Sequence, residues 1–179
     1  MRNDFGVFLS RTGRLLCLAA LVACVGGGPA GSEPRTDSMV TGSVSGGSAE
    51  AAAVAISAYR ATHGLGPLRV DASLNRLAAT QVRAMARADT VGHNVPGGGT
   101  LAKRAKSAGV YNAHVMENAG GGERYRSFGQ VFAGWRGSPG HNAAMLKPDM
   151  TRLGIATVSA PGSKHKVFWV LEMAGPRVH

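Results

Sequence analysis

The amino-acid sequence predicts an α+β domain in which layers of helices pack on an antiparallel sheet. Three observations indicate this class. Helical patterns that follow capping residues fill the first part of the folded region. Strand patterns come late in the chain, and two of them flank the turn residues 161–164 as a hairpin. This order favours an α+β or layered α-β-α domain over a doubly wound parallel sheet.

The N-terminal segment is predicted to be an export signal. Three arginines precede an apolar run of 11 residues, 15–25, which is shorter than the roughly 20 residues that cross a bilayer as a helix. The tetrad LVAC, which ends at Cys24, resembles the lipobox of bacterial lipoproteins. We therefore expect a lipoprotein signal peptide over residues 1–23 and lipidation of Cys24. An ordinary signal peptide cleaved nearby is the alternative.

Residues 24–48 are predicted to be a flexible tether, because Gly, Ser, Thr and Pro dominate them. The two cysteines are Cys17 and Cys24. The first would leave with the signal and the second would carry lipid, so the domain over residues 49–179 would have neither a free thiol nor a disulfide. Val25 follows Cys24 in place of the aspartate associated with inner-membrane retention. We therefore expect a periplasmic, outer-membrane location in the cell envelope.

The charge of the chain favours acidic partners. It has 20 Lys and Arg against 10 Asp and Glu, and removal of residues 1–23 leaves 17 against nine, a net charge of +8. Anionic lipid and cell-wall polymer are such partners. The basic residues are scattered, and few aromatic residues lie between them, so nucleic-acid binding is not predicted. Nothing in the sequence predicts an oligomeric state.

The first helices begin at capping residues. Ser48 is the predicted N-cap of the first helix, with Glu50 in its first turn and Gly64 at its end. Apolar residues at helical spacing follow Asp71, and Thr100 precedes a third, shorter helix. The predicted elements are helices over 49–64, 72–89 and 101–109, a strand over 114–119, helices over 127–135 and 138–146, and strands over 152–160 and 166–174.

The segment from Ser138 to Leu146 predicts a short helix that begins at a histidine. Pro139 suits the first helical position, and the Ser138 hydroxyl is expected to accept a backbone N–H as N-cap. His141 then lies in the first turn. Because a helix N-terminus disfavours a protonated imidazole, we expect His141 to be neutral, as a metal ligand or a general base must be.

Two further residues qualify as partners of this histidine. His93 follows the second helix, and Glu117 lies in a strand that otherwise reads as buried. A buried carboxylate is costly unless it is paired. The order and spacing of these residues resemble the bacterial SCP-like form of the CAP superfamily (cysteine-rich secretory protein, antigen 5, pathogenesis-related 1). The resemblance covers about Ala51 to Gly175 and rests on the segments YRATHGLGPLRVDASLNRLAATQVRAMA, KRAKSAGV, VFAGWRGSPGHNAAML, RLGIA and VFWVLEMAG, with His93 and Glu117-Asn118 between them.

The resemblance implies a three-layer α-β-α sandwich with a cleft lined by two histidines and acidic residues. Carried over, the cleft histidines are His93 and His141, and Glu117 is the acid of the Glu-Asn motif. The implied binding residues are Asn118, Trp135, Ser138 and Asn142. Ser138 stands where eukaryotic members carry a second glutamate, which puts any mechanism needing two carboxylates in doubt. The disulfides of many relatives are missing as well.

Four interpretations of the site remain open. The leading one is a binding module for lipid or cell-wall ligands, aided by the basic residues Lys103, Arg104 and Lys106. The second is a metal-assisted hydrolase, in which His93 and His141 hold Zn²⁺ or another divalent metal and Glu117 acts as base or orienting group. In the third, Ser138, His141 and Glu117 act as nucleophile, base and orienter, although no G-x-S-x-G motif surrounds the serine. In the fourth, these residues only form a buried polar network that stabilises the fold.

Overall fold

A computed structural model of the chain describes the backbone of residues 46–176 and the side chains of residues 49–176. The predicted signal peptide, Cys24 and the tether as far as residue 45 lie outside the described residues. The elements are α1 (Gly46–Ala61), β1 (Arg69–Val70), α2 (Ala72–Ala88), α3 (Leu101–Ser107), β2 (Ala113–Gly121), α4 (Phe128–Arg136), α5 (Pro139–Met145), β3 (Arg152–Ala160) and β4 (Lys166–Pro176).

Every predicted helix and strand is present, with corrections at some ends. Helix α1 begins at Gly46, within the predicted tether, so Ser48 is not its N-cap and Glu50 falls after its first turn. The helix also ends at Ala61 and not at Gly64, so both of its ends lie three residues before the predicted ones. The caps at Asp71 and Thr100 are confirmed, since both side chains accept backbone N–H groups of the following turn.

The four strands form one sheet in the order β1-β3-β4-β2. Strands β2 and β3 both pair antiparallel with β4, as predicted. The two-residue strand β1 pairs parallel with β3 and was not predicted, because two residues carry no periodicity. Strand β2 is an edge strand, and it exceeds the predicted strand at both ends.

Helices cover both faces of the sheet. Helices α1, α4 and α5 pack on one face around Trp135, Leu153 and Leu171, while α2 and α3 pack on the other around Leu77 and Phe168. This arrangement confirms the α+β class and the three-layer α-β-α sandwich. No helix among residues 46–176 is long and apolar enough to cross a membrane.

Helix α2 lies in direct contact with strand β3 at a glycine. A Cβ atom built on Gly154 would lie 2.1 Å from the carbonyl carbon of Leu74, so only glycine allows this approach. Asp71 stabilises the same junction, because its carboxylate caps α2 and accepts a hydrogen bond from Arg152 Nη1 at 2.7 Å.

Candidate functional site

Glu117, near the middle of edge strand β2, is the centre of the site. His93 Nδ1 lies 2.8 Å from its Oε1 atom, and Arg104 Nη2 donates to its Oε2 atom at 2.6 Å. Because an ionised carboxylate only accepts hydrogen bonds, Nδ1 of His93 carries the hydrogen. The Nε2 atom of His93 then remains available to a ligand, and 56% of this side chain is exposed. The structure thus brings the predicted pair His93 and Glu117 together.

Two buried side chains hold the loop that carries His93. Gln81 Nε2 donates to the carbonyl oxygens of Gly92 and His93 at 2.7 and 3.1 Å. Arg104 Nη1 donates to the carbonyl oxygens of Gly99 and His93 at 2.7 and 3.2 Å. The loop is therefore tied to both α2 and α3, which defines the position of the imidazole.

Arg104 does not lie on the surface, and its predicted contribution to ligand binding through surface charge was wrong. It is 3% exposed, and its guanidinium group joins Glu117 to the His93 loop. The spacing of α3 contains this signal. Leu101, Arg104, Ala105 and Ala108 recur at intervals of three and four residues, which places the arginine on the apolar face of the helix.

Glu172 is a residue of the site that the sequence analysis missed. It lies on β4 directly opposite Glu117. Thr151 N donates to Ala174 O, so the even-numbered residues of β4 direct their backbone groups to β3. Glu117 and Glu172 therefore form a non-hydrogen-bonded cross-strand pair, the arrangement that brings side chains closest. Glu172 is 0% exposed, so the site has a second carboxyl group after all, on a strand where none was expected.

The two carboxyl groups divide their protons unequally. Burial, followed by the negative charge of Glu117, raises the pKa of Glu172 well above its ordinary value. Burial also raises the pKa of Glu117, but hydrogen bonding from His93, the neighbouring Glu172 and the Arg104 guanidinium together lower it below its ordinary value. Neither oxygen of Glu172 has a hydrogen-bond partner among the described residues, so Glu172 acts on Glu117 through electrostatics. These opposite shifts favour the charge on Glu117 and the proton on Glu172.

The pKa values of the two histidines are also shifted in opposite directions. Hydrogen bonding to Glu117 raises the pKa of His93, although burial opposes the shift. Burial and the charge of His93 lower the pKa of His141. The neutral state expected for His141 thus agrees with the direction of its shift, but burial and His93, rather than the helix N-terminus, are the causes.

Ser138 does not cap α5 through its side chain, contrary to expectation. Its Oγ atom lies 2.9 Å from Nδ1 of His141 instead. Because Glu117 contacts His93 rather than His141, the predicted serine nucleophile, histidine base and glutamate orienter are not assembled as one chain of hydrogen bonds. The Nε2 atom of His141 is the ring nitrogen left without this contact.

The other predicted binding residues mainly position this site. Asn118 is buried, and its Nδ2 atom donates to the carbonyl oxygen of His141 at 3.0 Å. Asn142 Oδ1 accepts a hydrogen bond from Tyr59 Oη at 2.8 Å. Trp135 was expected among the binding residues, but it is 2% exposed and donates to Ala119 O. Packing in the core therefore accounts for Trp135 in the segment VFAGWRGSPGHNAAML.

A buried arginine, Arg60 of α1, positions the end of α5 from the other side. Its Nη1 atom donates to the carbonyl oxygens of Met145 and Lys147 at 2.7 and 2.9 Å, and its Nη2 atom donates to Met150 O at 3.1 Å. These bonds satisfy carbonyl groups in the last turn of the helix and in the segment that follows it. Asn118 and Arg60 together hold α5, and hence His141, against the sheet.

The site offers few ligands to a metal ion. Among the side chains of residues 49–176, no group of three or more His, Cys, Asp or Glu is arranged to hold one. The predicted metal ligands are the imidazoles of His93 and His141. Nε2 of His93 is free to coordinate because its Nδ1 is paired with a carboxylate, the usual way of orienting a histidine ligand. Such a pair leaves most coordination positions open and implies modest affinity, since catalytic zinc usually has three protein ligands.

The three-layer sandwich, with His93 of the loop after α2 paired to Glu117 of the edge strand, defines a CAP-type domain. The model of the cysteine-rich secretory protein family, CAP, matches residues 54–173, and the chain belongs to this family. The uncharacterized protein YkwD of Bacillus subtilis is 28% identical over 103 residues, which cover 58% of this chain and 39% of that protein. The chain thus spans well under half the length of this relative.

Two solved structures share the fold. An outer surface protein from Borrelia burgdorferi superposes with a TM-score of 0.60 at 17% identity, over 72% of this chain and 92% of that one. An extracellular protein containing a SCP domain from Bacillus anthracis superposes with a TM-score of 0.61 at 22% identity, over 73% of this chain and 41% of that one. At these identities the similarity establishes the fold alone.

Proposed function

We propose that this protein is an exported, lipid-anchored CAP-domain protein of the bacterial cell envelope, and that it binds a lipid or cell-wall ligand at the site around His93, Glu117 and His141. The observation that carries the binding function is the occupation of both Glu117 oxygens, by His93 and by Arg104. Because the Glu117 side chain is also only 2% exposed, this carboxylate orients an imidazole and is not reached by a substrate from which it could take a proton. This favours binding over hydrolysis.

The ligand class follows from the groups that remain available. The Nε2 atoms of His93 and His141 can each donate or accept a hydrogen bond, and protonation of His93 is favoured by Glu117. A phosphate or carboxylate group is a suitable partner for such a pair. The exported part of the chain has a net charge of +8, which would concentrate it near anionic envelope components.

Retention of purified chain by isolated envelope fractions tests the binding function. We expect His93→Gln to reduce retention about tenfold, because it removes the group that Glu117 orients. The matched control is His63→Gln, since His63 is exposed in the turn after α1. Charge reversal at Lys103 and Lys106 should weaken retention, as should salt. Equal retention of the two histidine variants, or retention that salt does not change, would contradict the proposal.

The export and anchoring part of the proposal rests on the sequence. The signal-like segment and the LVAC tetrad support it, and the descriptions of the two structural relatives, an outer surface protein and an extracellular protein, are consistent with it. Mass spectrometry of the membrane fraction should find the chain beginning at an acylated Cys24. Cys24→Ala should release the protein from membranes, whereas an unmodified N-terminus elsewhere would refute lipidation.

A metal-assisted hydrolase is the second candidate function, favoured by the pairing of His93 Nδ1 with a carboxylate. Zinc would bind Nε2 of His93 and of His141, and it would polarise a substrate carbonyl or lower the pKa of a bound water. Calorimetric zinc titration tests this with the chain and with His93→Ala and His141→Ala. One-to-one binding lost in both variants would support a shared metal site and justify hydrolase assays. No heat from any of the three proteins would eliminate this candidate.

A further inference from the structure

Strand β2 has one edge turned away from the sheet. Gly122 N donates to Val167 O at 3.0 Å, so even-numbered residues of this strand direct their backbone groups toward β4. On the opposite side, the Ala119 carbonyl accepts the indole N–H of Trp135 at 3.3 Å. Because neighbouring residues alternate in an antiparallel ladder, Ala113, Val115 and Glu117 direct their N–H and C=O groups away from β4.

These outward backbone groups are unpaired over the first half of the strand. Among the residues that the structure describes, none donates to or accepts from the backbone of Ala113, Val115 or Glu117 on this side. Beyond that point Trp135 covers the edge at Ala119. The free edge spans four residue steps, about 13 Å. A row of unpaired N–H and C=O groups of this length is the surface to which an extended chain adds as a further strand.

A cavity of mixed polarity, with aliphatic side chains and Asn112 in its lining, lies beside this edge on the α3 side of the sheet. It has a volume of about 410 Å³, and its lining includes Leu101, Ala105, Val110, Ala113 and Val115. A residue paired opposite Val115 would direct its side chain to the same face as Val115, and so into this cavity. The volume lies within the usual range of ligand pockets, about 300–1,000 Å³.

The rim of the cavity indicates what else the occupant carries. Tyr111, in the loop before β2, is 64% exposed although it is aromatic. Lys106 is exposed one helical turn after Ala102, a residue of the cavity lining, so the two share a face of α3. A cation at this rim favours an acidic group on the occupant.

We infer that the first half of β2 is a docking edge for an extended peptide, which adds to the sheet as a strand and places an apolar side chain in the α3 cavity and an acidic side chain toward Lys106. The unpaired groups select a peptide backbone, the cavity selects one side chain, and Lys106 selects the charge. Lys106 is common to this inference and to the envelope ligand proposed above, but the inference depends on backbone hydrogen bonds and not on the imidazoles, so the Val115 and His93 variants distinguish the two.

The test uses the full 179-residue chain in detergent and two capped pentapeptides, acetyl-Thr-Leu-Thr-Glu-Thr-amide and its reverse, acetyl-Thr-Glu-Thr-Leu-Thr-amide. Amide hydrogen exchange and chemical shifts are followed by NMR. We expect the amides of Ala113, Val115 and Glu117 to exchange freely in the absence of peptide and to become at least tenfold slower at saturation with one of the two peptides. Protection of these amides before peptide is added would mean that the chain's own N-terminal segment or a second copy occupies the edge, and it would overturn the proposal.

The decisive variant is Val115→Pro, which removes an outward N–H without removing a bond to β4. We expect it to bind at least tenfold more weakly than Val115→Ala, which keeps the N–H and also shortens the side chain. Lys106→Glu should weaken binding about threefold and should favour the peptide in which Lys replaces Glu. Equal affinity of the two Val115 variants would overturn the proposal, as would shift changes centred on His93 and His141.

A second measurement does not depend on any variant folding. Alternate residues of a strand direct their N–H groups to opposite sides. N-methylation of one alternate set of peptide residues should therefore abolish binding, while methylation of the other set should change it less than twofold. Loss of binding with both sets, or with neither, would show that the peptide does not bind as a strand.

Discussion

Removal of the Arg104 side chain is the most informative perturbation of this protein, because one guanidinium group supports both the charge and the shape of the site. It donates to Glu117 Oε2 at 2.6 Å and to the carbonyl oxygens of Gly99 and His93 at 2.7 and 3.2 Å. In Arg104→Met the apolar stem is largely kept. The Glu117 carboxylate then faces the protonated carboxyl group of Glu172 with only His93 to balance its charge.

The expected cost of this change is large. Removing one partner of a buried ion pair costs about 3–5 kcal/mol, since the other charge stays buried without compensation. The total stability of a natural domain is about 5–15 kcal/mol. Urea unfolding of the chain at pH 7, followed by circular dichroism and by tryptophan fluorescence, should therefore show a loss of this size. The stability difference between wild type and Arg104→Met should shrink toward acid pH. Protonation of Glu117 removes the unbalanced charge in the variant, and in the wild type it removes the charged pairing that lowers the pKa of Glu117.

Two further variants separate charge from shape. Arg104→Met combined with Glu117→Gln removes both charges, so we expect it to recover most of the lost stability. Arg104→Lys keeps the charge but cannot reach Glu117 and the loop carbonyls at once, so we expect an intermediate loss of about 1–3 kcal/mol. A loss below about 1 kcal/mol in Arg104→Met, or no recovery in the double variant, would refute the view that Arg104 acts mainly by balancing Glu117.

Three other predictions concern the fold and its pH dependence. Gly154→Ala should destabilise the domain by at least about 1–3 kcal/mol in urea unfolding, because the added methyl group meets the backbone of α2. The control is Gly129→Ala, whose methyl group meets nothing within 4 Å, and this variant should be neutral or slightly stabilising. Asp71→Asn keeps a good N-cap but loses the pairing with Arg152, so we expect a loss of stability of about 0.5–1 kcal/mol at pH 7. Because the pKa of Asp71 is lowered in the folded state, the stability difference between wild type and variant should disappear as the pH falls through that pKa. A stability difference that is unchanged at acid pH would contradict this account. The pKa of Glu172 is raised, so wild-type stability should fall as the pH rises above the ordinary glutamate pKa, and Glu172→Gln should remove that fall. If the stability curves of wild type and variant run parallel from pH 5 to 9, the Glu172 carboxyl group ionises without a cost in stability.

Elements with strong local signals could be predicted from the sequence. Helices α2 and α3 begin at Asp71 and Thr100 as expected, since a cap followed by apolar residues at helical spacing is a local pattern. Strands β3 and β4 coincide with the predicted hairpin because a turn separates two apolar runs. The start of α1 and the two-residue strand β1 could not be predicted in the same way. No local sequence pattern marks the first turn of α1, and only the pairing with β3 defines strand β1.

The central pair of the site could be predicted from the sequence, but the network around that pair could not. His93 and Glu117 were expected to meet, and their 2.8 Å contact has this geometry. The partners of Ser138 and Asn118 depend on how α5 sits against β2, which no local pattern encodes. Ser138 satisfied every local criterion of a capping residue, yet its hydroxyl contacts His141, because the tertiary position of that imidazole decides between two acceptable hydrogen bonds.

Glu172 shows most clearly where reasoning from sequence stopped short of the structure. The rule that a buried carboxylate needs a partner was applied to Glu117 in its strand. The same rule applies to Glu172, which interrupts the apolar run VFWVLEMA. The sequence therefore contained two buried carboxyl groups and, in α3, one arginine on an apolar helix face, and a single cation cannot balance two anions. Strand register alone was needed to place Glu117 and Glu172 opposite each other, and their mutual repulsion then requires one of them to keep its proton. This neutral acid gives the site a second carboxyl group on β4, whereas Ser138 occupies the position where the family pattern places a second glutamate.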